Sequence, residues 1–366
     1  MSRYVVEEIR DEESFLGLEE EWNRLLVRAG HDIPFLRHEW LRLWWEHFGG
    51  AQKMSVILVR RDGELVLALP LTERETTSFG LRFRVLGSMT NEHSFRFGVI
   101  AAEPEGEAVD ALLRYLEDRS ERWDLVLLQQ LSPEEAAESR LIQEIEAHGY
   151  NRGVWPAPGS PYLPTTGLWD DYFGSLSRKF RATLRCRARR LEQRGPYRFE
   201  VYSDEVEALK MLRIGLEVEK SSWKGEAGSA IACDPTLTSF YTRFAEIAAR
   251  KGWLRLTLLR VGDRYATFDY SLKYGNRWFC LKTGYDPDFA ACSVGQLFAE
   301  QILKRCFAED VVECNFMGLR EWQPRYRRQA WVYVYNRGPI PWMSYAWKFP
   351  VRAQVRHLLD VLLPQP

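Results

Sequence analysis

The chain has 366 residues, with 50 Lys and Arg against 51 Asp and Glu. This near balance argues against a dedicated nucleic-acid-binding protein, although it allows a local basic patch. So long a chain exceeds what one hydrophobic core usually serves, so two domains are expected. No apolar run reaches the roughly 18 residues of a spanning helix. The acidic N-terminal sequence is unlike a signal peptide, which predicts a cytoplasmic location. Six cysteines without a CxxC pair favour reduced thiols and no metal.

The first half of the chain predicts a helix, three strands, a helix, a strand and a helix. Apolar residues recur at helical spacing over 35–48, and two strands of a hairpin follow around a turn at 61–63. Pro70 predicts that the second of these strands frays or lies at a sheet edge. The remaining predicted elements are a strand over 81–86, a helix over 107–118, a strand over 124–130 and a helix over 133–147.

The second half repeats this order, which indicates a duplicated architecture. Its predicted elements are a helix over 237–250, a hairpin over 253–274, a strand over 277–286, a helix over 293–307 and a strand over 311–317. The Pro- and Gly-rich segment 151–167 predicts a connector between the halves. The predicted domains are 1–160 and 161–340, followed by an aromatic and basic helical tail over 341–366. The tail either packs on the second domain or touches an anionic membrane surface.

The segment 266–301 carries the clearest chemical signal. Apolar and polar residues alternate along 266–273, which predicts a strand with Asp269 on its exposed face. After the next strand, Ser293 is expected to cap a helix, and Gly295 allows a bound group to approach its first-turn amides. Unpaired N–H groups and the positive end of a helix dipole suit a pyrophosphate. The alternative is that these residues simply begin a helix.

Two stretches resemble a known family. The runs LKTGYDPDFAACSVGQLFAEQIL (281–303) and EKSSWKGEAGSAI (219–231) are similar to CelD/BcsL-type acetyltransferases of the GNAT superfamily. Those proteins are similar in turn to FemAB-like aminoacyltransferases, which carry two GNAT-like domains in tandem. The resemblance implies an α/β (α+β) fold with two tandem GNAT-like domains, each a mostly antiparallel mixed sheet flanked by helices. It also implies acyl-CoA as co-substrate, bound by Lys282, Thr283, Gly284, Ser293, Val294, Gly295 and Gln296.

The sequence departs from this family in two places. Val294 stands where a proline is common before the helix glycine. After Gly318 the family often has a lysine, whereas this chain has Arg320 and further arginines. Arginine keeps the charge but cannot give up its proton, so Arg320 is assigned an electrostatic role in substrate binding. An aminoacyl-transfer mechanism that relies on the lysine is therefore put in doubt.

Direct acyl transfer needs a base for the acceptor and a proton for the leaving thiolate. Glu219 and Asp269 are the candidate bases, and Tyr285 is the candidate proton donor. The structural alternatives are a solvated helix glutamate, a surface ion pair of a strand, and an aromatic side chain packed at a strand end.

Two further groups are candidates for acceptor binding. Trp223 and Lys224 combine a flat apolar surface with a cation, and the alternative is a helix anchor beside a solvated lysine. Asn91, His93 and Arg96, with Ser94 between them, form a polar cluster at a strand end in the first half. That cluster would bind the acceptor or contact the second domain.

The segment 178–194 is strongly basic, with eight Lys and Arg residues and the single acid Glu192. It is interpreted as a solvated helix, a site for a phosphate-bearing acceptor or lipid headgroup, or a tRNA-binding surface. The predicted function is transfer of an acyl group from acyl-CoA to an amino or hydroxyl group of a small-molecule acceptor. The resemblance suggests an envelope or polysaccharide precursor. Alternatives are a FemAB-like aminoacyltransferase that uses aminoacyl-tRNA, and a noncatalytic binding module. The sequence leaves the oligomeric state open.

Overall fold

A computed structural model describes residues 4–78, 81–102, 106–317 and 326–336 of the chain. These residues divide into two compact units. Unit 1 consists of the described parts of Met1–Gly159 and Gln329–Pro366, and unit 2 is formed by Ser160–Arg328.

Unit 1 is a mixed sheet with helices. Its elements are β1 (Tyr4–Ile9), α1 (Glu12–Leu16), α2 (Glu19–Arg28), α3 (His38–Phe48), β2 (Lys53–Arg61), β3 (Glu64–Ser78), β4 (Leu81–Ser88), β5 (Ile100–Ala101), α4 (Gly106–Glu117), β6 (Leu125–Leu131), α5 (Ala136–Ala147) and the first part of β7 (Asn151–Pro164). Strands β1 to β4 are neighbours in antiparallel order, and β4 pairs in parallel with β6. Helix α4 makes the crossover that a parallel pair requires, and five of its apolar side chains are buried against the sheet.

Pro70 lies inside a paired strand, so the prediction that this strand frays or forms an edge was wrong. Strand β3 continues to Ser78 and pairs with β2 on one side. The carbonyl oxygen of Pro70 accepts a hydrogen bond from Met89 on the other side, 3.0 Å away. On that side the partner of β3 changes from β5, which ends its pairing at Ala68, to β4, which begins at Leu71. A missing N–H is tolerated there because it interrupts no continuous ladder.

Unit 2 repeats the strand pattern. Its elements are the end of β7, α6 (Trp169–Ser175), α7 (Arg178–Glu192), β8 (Tyr197–Tyr202), α8 (Glu205–Lys220), α9 (Trp223–Glu226), α10 (Pro235–Arg250), β9 (Leu254–Val261), β10 (Arg264–Tyr274), β11 (Arg277–Tyr285), α11 (Val294–Ala308) and β12 (Glu313–Asn315). Strands β8 to β11 are antiparallel neighbours, β11 pairs in parallel with β12, and β12 pairs with the end of β7. The prediction of two α/β halves with mostly antiparallel mixed sheets is confirmed.

Helices cover both faces of β10. On one face, which we call the α8 side, a Cβ added to Gly215 of α8 would lie 2.0 Å from the Phe268 ring. On the same side Tyr270 donates a hydrogen bond to the Tyr241 carbonyl of α10, 3.3 Å away. The opposite face, the α11 side, packs Ala266 into a cluster with α11. Asp269 is therefore 1% exposed, and its predicted exposure was wrong.

The Pro- and Gly-rich segment after residue 150 is the strand β7 rather than a loop connector. Tyr162, Leu163 and Pro164 pair with β12, and the Pro161 carbonyl accepts a hydrogen bond from Phe316, 2.9 Å away. Proline lacks a donor but keeps its carbonyl acceptor, so β12 still has a partner. The Pro and Gly content of this segment predicted a loop, and this was wrong. Composition does not show that β12 uses the carbonyl groups of β7, which proline retains.

Strand β13 (Tyr326–Asn336) pairs with β6, so the described residues from Gln329 onward group with unit 1. The sequence-based boundary instead placed the chain up to residue 340 in the second domain. Long-range strand pairing of this kind leaves no local signal.

Candidate active site

The parallel strands β11 and β12 of unit 2 are paired over only part of the length of β11. Their register pairs Arg277 with Glu313 and ends at Phe279 with Asn315. The next residue of that segment, Phe316, turns its N–H to β7. Strand β11 nevertheless continues to Tyr285. Within the described part of the chain, residues 280–285 therefore have no partner strand on this side, which we call the open edge of β11.

Backbone groups of Thr283 and Tyr285 point to the open edge. The N–H of Asp286 bonds to the Ala266 carbonyl of β10, 2.9 Å away. Hydrogen-bonding direction alternates along an antiparallel strand, so Gly284 also faces β10 whereas Thr283 and Tyr285 face away. The Thr283 carbonyl accordingly accepts a hydrogen bond from Lys224 Nζ at 2.6 Å. The open edge thus presents two N–H donors to a bound chain.

Helix α11 begins without a side-chain cap. Ser293 adopts a left-handed conformation, with φ 48° and ψ 46°, and its side chain accepts no hydrogen bond from the first turn. Ser293 occupies the predicted N-cap position, but the side-chain cap expected of it does not form. The N–H groups of Val294 and Gly295 have no carbonyl partner within the helix.

The space beside this helix start is open. A Cβ added to Gly295 would meet no atom within 4 Å. Val294 is 1% exposed and anchors the turn in the core. The half-buried Gln296 carries a buried side-chain oxygen that accepts no hydrogen bond. Free first-turn donors, room beside Gly295 and a helix of 15 residues behind them are the features that an anionic ligand requires.

Glu219, at the end of α8, forms a buried ion pair beside the open edge. Its Oε1 accepts a hydrogen bond from Lys224 Nζ at 2.8 Å, and Oε2 accepts one from the Ile231 amide at 3.0 Å. Glu219 is 1% exposed, so it is not a solvated helix glutamate. Because the same ammonium bonds to Thr283, the pair joins the end of α8 to the open edge of β11.

Two glycines make this approach of helix and strand feasible. A Cβ on Gly284 would lie 2.5 Å from the Glu219 Cα, so a side chain there would push β11 away from α8. A Cβ on Gly225 would lie 1.8 Å from the Lys220 carbonyl oxygen, which explains the glycine after Lys224. Sequence reasoning missed the role of Ile231, although it follows the SWKG motif closely.

The candidate catalytic residues divide between the two faces of the sheet. Glu219 and Gly284 lie on the α8 side, and Lys282 joins them there with its ammonium 5.4 Å from the Tyr241 ring centroid. Asp269 is paired in register with Thr283, so both side chains lie on the α11 side. Ser271 donates a hydrogen bond to the Asp269 carboxylate. The structure therefore does not bring the two predicted bases together.

Tyr285 and Trp223 differ in exposure. Tyr285 is half-buried and packs against the core on the α11 side. Trp223 is 60% exposed and leaves its ring available next to Lys224. Acceptor binding by Trp223 and Lys224 stays a prediction.

Buried thiols lie where β11 and β12 separate. Burial raises the pKa of the Cys314 thiol well above its usual range, and the neighbouring Cys280 and Cys306 raise it further. A thiol in this state is protonated at neutral pH and is a poor nucleophile. Cys314 is therefore not a candidate nucleophile.

The polar cluster of the first half lies in the loop after β4 of unit 1. Asn91 accepts a hydrogen bond from the His93 amide at 3.0 Å, and the His93 ring stacks on Phe48 at a centroid distance of 6.0 Å. Ser94 accepts a hydrogen bond from the Trp40 indole at 3.3 Å. Arg96 is half-buried. Local packing thus accounts for the position of His93. Arg320 and the predicted tail lie outside the described residues.

The described residues contain no group of three or more His, Cys, Asp or Glu that is arranged to hold a metal ion. None of their helices combines the length and apolar character needed to cross a bilayer.

The fold agrees with comparisons to known proteins. Residues 178–328 match the acetyltransferase (GNAT) domain family, which covers the helices and strands around the open edge but less than half of the chain. The chain has no significant match among curated proteins.

Solved structures show the same architecture over nearly the whole chain. FemX superposes with a TM-score of 0.57 at 11% identity, covering 90% of this chain and 98% of FemX. The C-terminal domain of a putative lysylphosphatidylglycerol synthetase from Agrobacterium fabrum gives 0.51 at 11% identity, covering 88% and 92%. At these identities the likeness concerns the fold. Together with the family match it shows a GNAT acyltransferase fold, and the matched residues lie in unit 2.

Proposed function

We propose that the chain is an acyltransferase that moves an acyl group from acyl-CoA to an amino or hydroxyl group of a small-molecule acceptor. The proposal is carried by one combination in unit 2, the open edge of β11 next to the uncapped start of α11. A strand edge offers hydrogen bonds to the amide-containing arm of a thioester, and a free helix start offers them to its diphosphate.

The donor would bind through backbone groups. The diphosphate is assigned to the segment of Ser293, Val294, Gly295 and Gln296. Its free amides are those of Val294 and Gly295, because the Ser293 and Gln296 amides bond to the Ala290 and Ser293 carbonyls, and Gly295 leaves room for close approach. The arm that bears the thioester is assigned to the strand segment Lys282, Thr283 and Gly284. The N–H groups that point to the open edge would stabilise the negative charge on the carbonyl oxygen during attack.

Glu219 is the proposed base. The acceptor nitrogen or oxygen forms a bond to the thioester carbonyl carbon, its proton passes to the Glu219 carboxylate, and the C–S bond breaks. The leaving thiolate takes a proton, for which Tyr285 is the candidate donor. Lys224 orients the carboxylate through its 2.8 Å hydrogen bond to Oε1. We prefer Glu219 to Asp269 because its ion pair touches the open edge, whereas Asp269 lies on the other face.

The acceptor would lie against Trp223 and Lys224, since an exposed indole suits a sugar ring and the ammonium suits an anionic group. An envelope or polysaccharide precursor fits this chemistry and is proposed on the family resemblance. Contributions of Asn91, His93, Arg96 and Arg320 to acceptor binding stay predictions.

The test measures thiol release from acetyl-CoA and longer acyl-CoAs over a panel of amines, amino sugars and hydroxyl compounds. We expect release that depends on an acceptor, together with calorimetric binding of coenzyme A to the free protein. The absence of both thiol release and coenzyme A binding would contradict the proposal. Binding without release for any acceptor would favour the noncatalytic module.

Aminoacyl transfer from aminoacyl-tRNA is the second candidate. The observation that favours it is the array of unpaired cations on α7, which suits a polyanion. Filter binding of bulk tRNA at physiological salt separates the candidates, because tight binding would favour aminoacyl transfer.

A further inference from the structure

We propose that helix α7 holds the 3′-phosphate on the ribose of the acyl donor through Arg187 and Arg181. This inference rests on the proposed function, and it assigns a role to an element that the open edge and the helix start leave unused. It concerns a part of the donor distinct from the diphosphate at α11.

Helix α7 lies beside the segment that leads into α11. Leu184 and Leu191 of α7 are buried in the same cluster as Phe289 and Val294, which flank the start of α11. The Arg194 guanidinium, just beyond α7, lies over the Phe289 ring at 5.4 Å. A ligand seated at the α11 start therefore has α7 as a neighbour.

The cations of this segment are not neutralised by the protein. Within the described residues none of its eight basic side chains is within ion-pair distance of a carboxylate; they are Arg178, Lys179, Arg181, Arg185, Arg187, Arg189, Arg190 and Arg194. Two cations near the site, in contrast, have carboxylate partners. Arg264 pairs with Asp286 and Asp288 at 2.5 and 2.8 Å, and Lys224 pairs with Glu219.

Two of the arginines are directed inward. Arg187 lies three residues after Leu184 and four before Leu191, so it shares their inward-facing stripe. It is half-buried, and its buried Nη1 donates no hydrogen bond; the buried Nε of Arg181 donates none either. A buried guanidinium N–H without an acceptor is costly, and a phosphate oxygen would satisfy it.

The start of α11 does not supply enough positive charge to neutralise all the phosphates of the acyl donor. The first turn of α11 contains no charged side chain, so it offers only backbone donors and the partial charge of the dipole. Coenzyme A carries a further phosphate beyond its diphosphate. Among the described residues, no large apolar side chain of α7 is exposed. This argues for a dissolved phosphate rather than a membrane as the partner.

The test is calorimetric titration of coenzyme A and 3′-dephospho-coenzyme A into the full chain. The variants are Arg187→Gln and Arg181→Gln, and the matched control is Arg189→Gln, which removes the same charge from the exposed, outward side of the helix. We expect the natural sequence to bind coenzyme A about tenfold more tightly than the dephospho form, as a charge-assisted contact allows. Arg187→Gln should abolish that ratio, Arg181→Gln should reduce it, and Arg189→Gln should keep it.

Equal affinity of the natural sequence for both ligands would overturn the inference while leaving the proposed function intact. An equal loss in all three variants would also overturn it, because general electrostatic attraction would then explain the effect. Failure to bind either ligand would instead contradict the proposed function on which the inference rests.

Discussion

The two units share a strand pattern but differ where their parallel strands meet. In unit 1, β4 pairs with β6 through Gly87 and ends one residue later, at Ser88. In unit 2, β11 runs six residues beyond its last pair with β12. The same topology therefore holds a closed junction in one unit and an open edge in the other.

The starts of the helices that follow these strands, α4 in unit 1 and α11 in unit 2, also differ in how much space they leave. Helix α4 begins with Glu107 in its first turn, and a Cβ on Gly106 would lie 2.2 Å from the Arg140 side chain. Helix α11 has no acid in its first turn and has open space beside Gly295. Glu107 repels a phosphate, and the Arg140 side chain fills the space beside Gly106 that a phosphate would need. We therefore assign the donor site to unit 2 and not to unit 1. The lesson is that strand order defines the fold and local register defines the site.

The largest expected effect is that of Gly295→Trp. The indole would fill the open space at the α11 start, and coenzyme A affinity should fall by at least about 100-fold because the diphosphate contacts are lost. Calorimetry measures the affinity, and circular dichroism checks the fold. The control is Gly174→Trp, at a glycine of α6 that also has open space around it. Unchanged binding in Gly295→Trp would remove the donor site from unit 2.

Glu219→Gln should lower kcat by about 10²- to 10⁴-fold at saturating substrates, as expected for loss of a general base. The substitution keeps the side-chain volume, and steady-state kinetics with the best acceptor measures the effect.

Asp269→Asn is the comparison for the other face of the sheet, and it should lower kcat less than Glu219→Gln. The reverse order would move the base to the α11 side. Wild-type turnover in both variants would mean that neither carboxylate is the base.

Gly215→Ala tests the packing that closes the α8 side of unit 2. Phe268 is fully buried, so a new methyl group 2.0 Å from its ring should lower the free energy of unfolding by about 1–3 kcal/mol. Denaturant unfolding measures it. Gly174→Ala, which has open space, should be neutral or slightly stabilising. Equal stability of Gly215→Ala and the natural sequence would contradict the packing described.

The smallest effect concerns Glu138 of α5 in unit 1. It is 0% exposed, its Oε1 lies 3.4 Å from His31 Nδ1, and burial raises its pKa well above 4.5. The folded chain then holds a proton that the unfolded chain has released, so this group lowers stability as pH rises above 4.5. Glu138→Gln should therefore gain thermal stability relative to the natural sequence as pH rises from about 5 to about 8.

Coenzyme A binding in unit 2 is the control for Glu138→Gln, and it should not change. A stability difference that is constant with pH would show that Glu138 is ionised in the folded chain.

The sequence predicted the fold better than the environment of single residues. Strands β9 to β11 and helix α11 were predicted because their apolar periodicity and turn residues are local signals. Asp269 was misjudged because alternation was taken to mean one solvated face, whereas α8, α10 and α11 cover both. The predictions for the strand with Pro70 and for the segment of β7 were wrong because they depended on which backbone groups the neighbouring strands use. The first strand of each unit, β1 and β8, was not predicted.

In the site, the motif residues were named from the sequence, but their mutual positions were not available from it. That Lys224 joins Glu219 to Thr283, and that Glu219 and Asp269 lie on opposite faces, depends on contacts between distant segments. The roles of these residues stay predictions until the variants are measured.

The pairing of β13 with β6 has a consequence for biosynthesis. Unit 1 is discontinuous, because its last strand is encoded after the whole of unit 2. During translation β6 must wait for its partner β13 until residues 326–336 have left the ribosome, whereas unit 2 is a continuous segment that can finish earlier. A gene fragment encoding residues 1–159 would therefore leave β6 as a bare edge liable to aggregate, and one encoding 160–328 would carry every strand of its own sheet.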